Sequence, residues 1–234
     1  MIKHLFTLAA VAAVSLPAQA DTLTLWNFNF GSDANSATGT TAPAIGTGSI
    51  SLLGGVTTTG FNSGTGSSDP EASDDSGFQT TTYAPQSTQD KERGVQFSVS
   101  TVGWQDVQIQ YDLRHSNTSS RYEAVQYTLD GSAWVDAATF DGNAGDTWFN
   151  GRTFDFSGIS GADNNENFGF RVVATFSPGT NLYEASRSSS SYAGGTWRFD
   201  MVTISAAAPI PEPGTYALLL AGLAAVGFIV RRRG

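Results

Sequence analysis

The central part of this 234-residue chain predicts an all-β fold, specifically a jelly-roll-like β-sandwich over residues 21–205. Apolar and polar residues alternate in many short runs that are rich in β-branched and aromatic side chains, and Gly, Asn, Asp and Ser clusters separate these runs. Between the two ends of the chain, no window carries apolar residues at helical spacing for more than one turn. Eight to ten strands at this spacing are typical of a sandwich or a barrel, and we favour the sandwich.

The N-terminal residues 1–20 predict a secretory signal peptide. A basic start that contains Lys3 precedes an apolar stretch over residues 5–16. Ala18 and Ala20 then form a small-residue cleavage site. We therefore expect signal peptidase as a partner and an exported mature chain.

The strands are predicted from the alternation of apolar residues. In chain order they cover residues 22–30, 49–53, 56–61, 95–99, 107–113, 125–129, 168–176 and 196–205. Asp130-Gly131 predicts a hairpin turn of type I′, because that turn needs residues that tolerate positive φ.

Two segments interrupt or follow the strands. Residues 62–90 are dominated by Ser, Thr, Gly, Asp and Gln, and too few apolar groups are present to offset the entropy of ordering them. We therefore expect a long mobile loop there. Residues 206–210 are expected to be a short linker to the C-terminal tail.

The tail over residues 211–234 has three parts in fixed order. A Pro-Glu-Pro tripeptide precedes an apolar run over 216–230, and Arg231, Arg232 and Arg233 follow. This order predicts a transmembrane helix whose basic end stays cytoplasmic. Fifteen helical residues rise only about 22 Å, which is short of the roughly 30 Å hydrocarbon core and argues against a permanent anchor.

This tail resembles the PEP-CTERM sorting signal of Gram-negative bacteria. The resemblance implies that Pro211, Glu212 and Pro213 are recognised by exosortase, a membrane protease-transpeptidase, and that the basic cluster stops transfer. It implies a transient inner-membrane anchor, followed by delivery to the cell surface or the exterior. Such proteins are common in species that make extracellular polysaccharide or biofilm matrix. A plain C-terminal anchor with an accidental proline pair is the alternative.

Composition excludes several classes of function for the mature chain. Without residues 1–20 and 212–234 it has 8 basic and 20 acidic side chains, a net charge near −12. Such a surface repels phosphate backbones, so we expect no nucleic-acid partner. The absence of cysteine excludes disulfides, thiolate catalysis and Cys-based zinc sites.

Catalytic motifs are also missing, so the chain is predicted not to be an enzyme. His115 is the one histidine after the signal peptide, and its polar neighbours predict a surface position at a strand end. No nucleophile elbow, phosphate-binding loop or histidine-rich metal motif is present. A polysaccharide hydrolase stays open only because paired carboxylates leave no linear signature.

The segment from Arg114 to Arg121 is the most distinctive internal motif. Its two arginines flank hydroxyl and amide side chains, and a guanidinium group can bind a carboxylate or a sugar through paired hydrogen bonds. We favour the alternative that both arginines pair with acids of this protein while Asn117 and Ser119 close a turn.

The region from Arg114 to Trp134 also resembles a module of secreted bacterial proteins, including other PEP-CTERM proteins. The closing strand over 197–204 resembles the last strand of galactose-binding-like jelly rolls. These resemblances support a fold and not an activity, because one fold hosts many functions.

Calcium is the one cofactor that the sequence leaves open. Acid and amide clusters occur at 69–75, at 141–146 and at 163–166, and calcium takes oxygen ligands from such loops. The preferred local candidate consists of Asp141, Asn143 and Asp146. Asp200 is an alternative, because sandwiches of the resembled class often hold calcium where the terminal strands meet. Turn formation is the competing interpretation of all these residues.

We therefore expect an exported, surface-sorted, non-catalytic protein of the cell envelope or the extracellular polysaccharide matrix. The alternative is a carbohydrate-binding module that acts on exopolysaccharide, with a structural calcium ion as an added element. It would need exposed aromatic faces, although aromatic residues of this size usually enter the core of a sandwich. The available side chains are Trp104, Trp134, Trp148, Tyr192 and Trp197.

Overall fold

The computed structural model describes residues 20–31, 34–71, 73, 75–208, 219–224 and 231. Residues 20–208 form one compact unit. The proposed cleavage residue Ala18 and the Pro-Glu-Pro tripeptide lie outside the described residues, as do Arg232 and Arg233. Ala20 is exposed and begins the first strand.

Eleven strands make up the described part of the compact unit. They are β1 (Ala20–Trp26), β2 (Ser49–Leu53), β3 (Thr57–Ser63), β4 (Ser76–Thr81), β5 (Gly94–Ser98), β6 (Gln105–His115), β7 (Tyr122–Thr128), β8 (Val135–Asp141), β9 (Thr147–Asp155), β10 (Gly169–Thr175) and β11 (Trp197–Ala207). The all-β prediction is confirmed.

The strands form two antiparallel sheets. The six-stranded sheet has the order β3-β4-β11-β6-β9, with β1 also paired to β11, and the five-stranded sheet has the order β2-β5-β10-β7-β8. Strand β11 pairs with two strands along the same edge: its first residues pair with β4 and its last residues pair with β1. The first and last strands of the unit are therefore direct neighbours.

Large aromatic side chains fill the space between the sheets. Phe97 of the five-stranded sheet lies 5.0 Å from Phe170 and 5.4 Å from Trp26, measured between ring centroids. It also lies 6.0 Å from Phe199 of the six-stranded sheet, in an edge-to-face arrangement. All four rings are fully buried, so they give the sandwich one continuous hydrophobic core.

The prediction of a loop across 62–90 is wrong, because β4 lies within that segment between β3 and β11. Its hydroxyl groups are satisfied inside the fold: the Thr80 hydroxyl bonds the Tyr83 hydroxyl at 2.7 Å and donates to the carbonyl of Trp197 at 3.2 Å. Phe78 supplies the apolar contact with the core. Because most residues of this strand are small and polar, apolar and polar side chains do not alternate along it, and the sequence pattern does not predict it.

Smaller corrections concern one boundary and two missed strands. The expected linker over 206–210 is wrong at its start, because Ala206 and Ala207 are buried residues of β11. Strands β8 and β9 were missed, since their half-exposed residues alternate weakly.

The turn after Leu129 joins β7 to β8, so the predicted hairpin is confirmed. A type I′ turn needs positive φ at both central residues. Gly131 has φ of 76°, but Asp130 does not have positive φ, so the type I′ prediction is wrong. The Asp130 carboxylate accepts the backbone N–H groups of Ser132 and Ala133 at 2.8 and 2.7 Å. These bonds close a longer loop in which only the glycine takes positive φ.

Within the predicted transmembrane run over 216–230, the structure describes residues 219–224, which are helical. The other residues of that run lie outside the description. Among the described residues, no helix reaches the length and apolar character that a membrane crossing requires.

Candidate functional site

A β-bulge in β11 sets the position of Asp200. The pairing of β11 with β6 loses register between Asp200 and Thr203, and Met201 within this break has φ of 46°. The backbone N–H of Met201 donates to Oδ1 of Asp200 at 2.8 Å. Bulges commonly re-aim side chains, and here the side chain on the outer face of the six-stranded sheet is a carboxylate.

The loop between β3 and β4 brings two more carboxylates to Asp200. Ligand oxygens of Asp69, Asp75 and Asp200 lie within 4.8 Å of one another, and we call this group the acid centre. Gly64 at the start of the loop is required by the close packing. A Cβ atom there would lie 1.8 Å from Oδ1 of Asp75 and 2.6 Å from Oδ2 of Asp200.

The loop is held against the sheet by hydrogen bonds outside the acid centre. The Asp112 carboxylate accepts the backbone N–H of Ser68 at 2.5 Å, and Asp112 is the direct β6 partner of Asp200. The indole N–H of Trp148 donates to the carbonyl of Thr65 at 3.1 Å. The loop therefore forms a lid of defined shape over Asp200.

Burial makes the acid centre electrostatically costly. Asp200 is 0% exposed, and burial raises the pKa of its carboxyl group to about 8. Hydrogen bonds from Ser67 and from the Met201 N–H oppose this shift, and the charges of Asp69 and Asp75 add to it. Burial, and then the charge of Asp69, raises the pKa of Asp75 to about 6. The negative charge of the three carboxylates is therefore not balanced by a basic side chain within ion-pair distance among the described residues.

Hydrogen bonding leaves the centre incomplete as well. Among the described residues, Oδ2 of Asp200 and Oδ1 of Asp75 are buried and have no hydrogen-bond partner. Arg198 is a nearby cation, but its guanidinium bonds the side-chain oxygen of Gln79 and the carbonyl of Ser63 instead. Buried polar atoms without partners are rare and require an explanation.

A divalent cation fits this donor set. Three carboxylates at this spacing offer the hard, anionic oxygen ligands that Ca²⁺ prefers, and neighbouring carbonyl groups or water could complete its coordination. A bound cation would contact the two unpartnered oxygens and offset both the cost of burying these carboxylates and the repulsion between them.

The residues of the preferred sequence candidate have other partners. Asp141 is bound through both carboxylate oxygens by Arg121, whose guanidinium also contacts Glu184. Asp146 accepts from Arg114 at 3.1 Å and from Asn117, and Asn143 is exposed. The favoured interpretation of the Arg114–Arg121 segment as internally paired is therefore confirmed. Of the predicted metal residues, only Asp200 belongs to the acid centre.

The sequence showed an acid and amide cluster at 69–75, but Asp69 and Asp75 were not predicted as metal ligands. The loop prediction for 62–90 gave no reason to place them beside a residue more than 120 positions later. Only the pairing of β4 with β11 makes that connection.

His115 is buried, so its predicted surface position is wrong. Its Nδ1 atom lies 2.8 Å from the carbonyl oxygen of Ser120, and its Nε2 atom lies 2.8 Å from Oε2 of Glu123. Arg152 Nε lies 3.1 Å from the other oxygen of Glu123. We call His115, Glu123 and Arg152 the core ion network. Both side chains of the His115–Glu123 pair are 0% exposed, so this imidazole is closed to a substrate.

Only one of the candidate aromatic residues is fully buried. Trp197 lies in the core, whereas Trp104, Trp134, Trp148 and Tyr192 are partly exposed. Trp148 and Tyr192 are tied by hydrogen bonds to carbonyl groups of neighbouring loops. Trp134 instead stacks on Arg171, with 4.4 Å between the guanidinium carbon and the ring centroid.

Comparison with solved structures identifies β-sandwich modules of bacterial xylanases. The tandem CBM22-1-CBM22-2 domain of Paenibacillus barcinonensis Xyn10C is 15% identical, with a TM-score of 0.48 over 86% of this chain and 50% of that one. The CBM22-1 xylan-binding domain of the same enzyme is 14% identical, with a TM-score of 0.47 over 83% of this chain and 100% of that one.

The CBM22-1-GH10 modules of Clostridium thermocellum xylanase 10B are 11% identical, with a TM-score of 0.47 over 84% of this chain. This chain spans only 30% of that structure's length. All three TM-scores are below 0.5, so they carry no functional inference.

No curated protein matches the chain. The PEP-CTERM protein-sorting motif matches residues 209–233, where the Pro-Glu-Pro tripeptide, the apolar run and the arginine cluster lie. The chain thus carries the PEP-CTERM sorting motif behind a two-sheet antiparallel β-sandwich.

Proposed function

We propose that this is an exported, non-catalytic protein of the cell envelope or the extracellular polysaccharide matrix, which an exosortase processes. The sorting motif at residues 209–233 is the observation that carries this proposal. The N-terminal sequence supports export, with signal peptidase acting beside Ala18 and Ala20. The burial of His115 supports a passive role for the sandwich.

The substitution Glu212→Ala tests this function in cells that express the full-length chain. We expect the variant to remain in the inner-membrane fraction at its unprocessed mass, because exosortase would no longer recognise the tripeptide. Glu166→Ala, at an exposed position of the sandwich, is the matched control and is expected to reach the surface normally. Equal surface delivery of the Glu212→Ala variant would contradict exosortase processing.

We further propose that the acid centre holds a structural calcium ion. Asp69, Asp75 and Asp200 would be the carboxylate ligands, and the ion would fix the β3–β4 loop on the outer face of the six-stranded sheet. The two buried, unpartnered oxygens support this assignment. Its role is structural, because the site lies beneath a loop and Asp200 is 0% exposed.

A carbohydrate-binding module remains the second candidate function. The observation that favours it is the outer face of the five-stranded sheet, where polar side chains and Trp134 lie together. Exopolysaccharide would be the partner in that case.

A further inference from the structure

A straight row of polar side chains crosses the outer face of the five-stranded sheet. The strand registers place one residue from each strand directly opposite the next. The residues flanking these positions on β5 and β10 are Val95, Phe97, Phe170 and Val172, which point into the core, so the row itself faces away from it. In order, the row consists of Ser51, Gln96, Arg171, Gln126 and Asp136.

Hydrogen bonds fix one half of this row. Nε of Arg171 donates to Oε1 of Gln126 at 2.6 Å, and the amide nitrogen of Gln126 donates to Asp136 at 2.6 Å. Lys91 binds the other oxygen of Asp136 at 2.5 Å. The charge of Asp136 is therefore already balanced by Lys91, and the position of Arg171 is set by a chain of contacts.

Arg171 has unused hydrogen-bonding capacity. Trp134 covers a face of the guanidinium, which leaves the donors in its plane available. Only the Nε donor has a partner, and no carboxylate lies within ion-pair distance of Arg171, among the residues that the structure describes. Burial lowers the pKa of Arg171, and the charge of Asp136 offsets this only in part.

Arg171 differs from the other partly buried arginines in that its Nη groups have no partner among the described residues. Arg93 and Arg198 also lack a carboxylate, but their Nη groups donate to carbonyl or amide oxygens. Arg114, Arg121 and Arg152 each contact a carboxylate of this protein. Arg171 is half-buried on a polar sheet face, where the nearest acid of the row, Asp136, is linked to it only through Gln126. The two Nη groups of a guanidinium match the geometry of a carboxylate, and such bidentate bonds are both strong and directional.

We infer that this face binds a carboxylate-bearing saccharide, with the uronate group on the Nη atoms of Arg171. The hydroxyl groups of the sugar would bond the amide of Gln96 and the hydroxyl of Ser51, which lie next along the row. Trp134 both orients the guanidinium and offers its remaining exposed surface to a sugar ring. Arg171 then selects acidic over neutral sugars. This inference rests on the carbohydrate-binding candidate and is independent of the calcium site.

The net negative charge of the protein does not prevent this binding. At physiological ionic strength the Debye length is about 8 Å, so exposed acids farther away are largely screened, whereas a direct contact with Arg171 is not. We therefore expect affinity to depend on this one guanidinium more than on the overall charge.

Calorimetric titration of the full chain in mild detergent tests the inference, with hexagalacturonate as the probe. Its carboxyl-reduced hexamer is the matched neutral ligand. We expect the acidic probe to bind and the reduced one to bind at least about tenfold more weakly, as loss of a charge-assisted hydrogen-bonded pair predicts. Repeating the titration with calcium and with EDTA separates this binding from any contact through the acid centre.

Arg171→Lys keeps the positive charge but removes the paired Nη donors, so we expect about a tenfold loss of affinity for the acidic probe. Gln96→Ala is a second variant in the row, whose side chain bonds only Ser98 among the described residues, and it should weaken both probes. Arg187→Lys, at an exposed position, is the control and should bind as the unmodified chain does. Unfolding midpoints confirm that the variants fold.

Three outcomes would overturn the inference. Equal affinity for the acidic and the reduced hexamer would remove the selective role of Arg171. Unchanged binding in Arg171→Lys would move the site elsewhere and leave the carbohydrate-binding candidate standing. No binding of either hexamer would remove both, while the exosortase proposal, which the Glu212→Ala variant tests, would be unaffected.

Discussion

The core ion network and the acid centre are both clusters of buried ionisable groups, but only the network has a cation beside its carboxylate, the Arg152 guanidinium. In the network, Glu123 lies between His115 and Arg152, with contacts of 2.8 and 3.1 Å. In the acid centre, Asp200 faces two further carboxylates and no basic side chain within ion-pair distance among the described residues. Each oxygen of Glu123 therefore has a nitrogen of a basic side chain within 3.1 Å, whereas the carboxylates of the acid centre have no such neighbour among the described residues.

This difference indicates which cluster depends on something outside the chain. A buried carboxylate persists only if it is paired, coordinated to a metal or protonated. Glu123 is paired by side chains from neighbouring strands, so the network joins the two sheets without help. The acid centre must take up either protons or a cation, and we propose that it takes up calcium.

The largest effect is expected from breaking the core ion network. Glu123→Gln keeps the shape of the side chain but leaves His115 and Arg152 without a buried negative partner. We expect the free energy of unfolding to fall by about 3–5 kcal/mol, because removal of one partner leaves uncompensated buried charge. Urea denaturation measures this, and a loss below about 1 kcal/mol would show that the network is not a significant source of stability.

Calcium removal is the next largest test, and it should affect only the acid centre. Calcium at 100 times its dissociation constant should stabilise the unmodified chain by about 2.7 kcal/mol relative to the same chain in EDTA. Glu123→Gln should lower the stability of both forms and leave this difference unchanged. A calcium effect that disappears with Glu123→Gln would show that the two clusters are coupled.

The pH dependence separates the clusters further in the absence of calcium. Asp200 titrates at about 8 when folded and near 3.8 when unfolded, so between these pH values the folded state holds the extra proton. The stability of the calcium-free chain should therefore fall as pH rises from about 4 to about 8. Saturating calcium should abolish this fall, because the ion replaces the proton. Denaturation midpoints at pH 5 and pH 8, with calcium and with EDTA, provide the comparison.

The smallest effect is expected at a surface ion pair of similar composition. Glu184→Gln removes a carboxylate that contacts Arg121, but both side chains are partly exposed and Asp141 still holds the guanidinium. We expect a change below about 1 kcal/mol. A loss comparable with that of Glu123→Gln would mean that burial does not distinguish the two glutamates.

Local patterns predicted much of the fold. Strands with clear alternation were found close to their true limits, and β2 at Ser49–Leu53 matched its predicted residues. The missed strands β4, β8 and β9 lack that alternation, because small polar residues or half-exposed edges replace it. Their assignment depends on pairing with distant strands.

The candidate site could be predicted only in part. Asp200 was suggested because sandwiches of the resembled class often hold calcium where the terminal strands meet, and β1 does pair with β11. Asp69 and Asp75 join it only because β4 pairs with β11 and the preceding loop folds back over the sheet. The burial of His115 could not be predicted from the sequence either, because the members of its network, Glu123 and Arg152, come from different strands. Long-range contacts of this kind leave no local signature.

Asp200→Asn is the variant that tests the acid centre most directly, through calcium titration by calorimetry with the unmodified chain in parallel. We expect calcium to bind the unmodified chain and to raise its unfolding midpoint, and to do neither for the variant. In EDTA the variant should be at least as stable as the unmodified chain at pH 8, because it removes an uncompensated buried charge. No calcium binding to the unmodified chain, or equal binding to both, would contradict the assignment of the acid centre as a cation site.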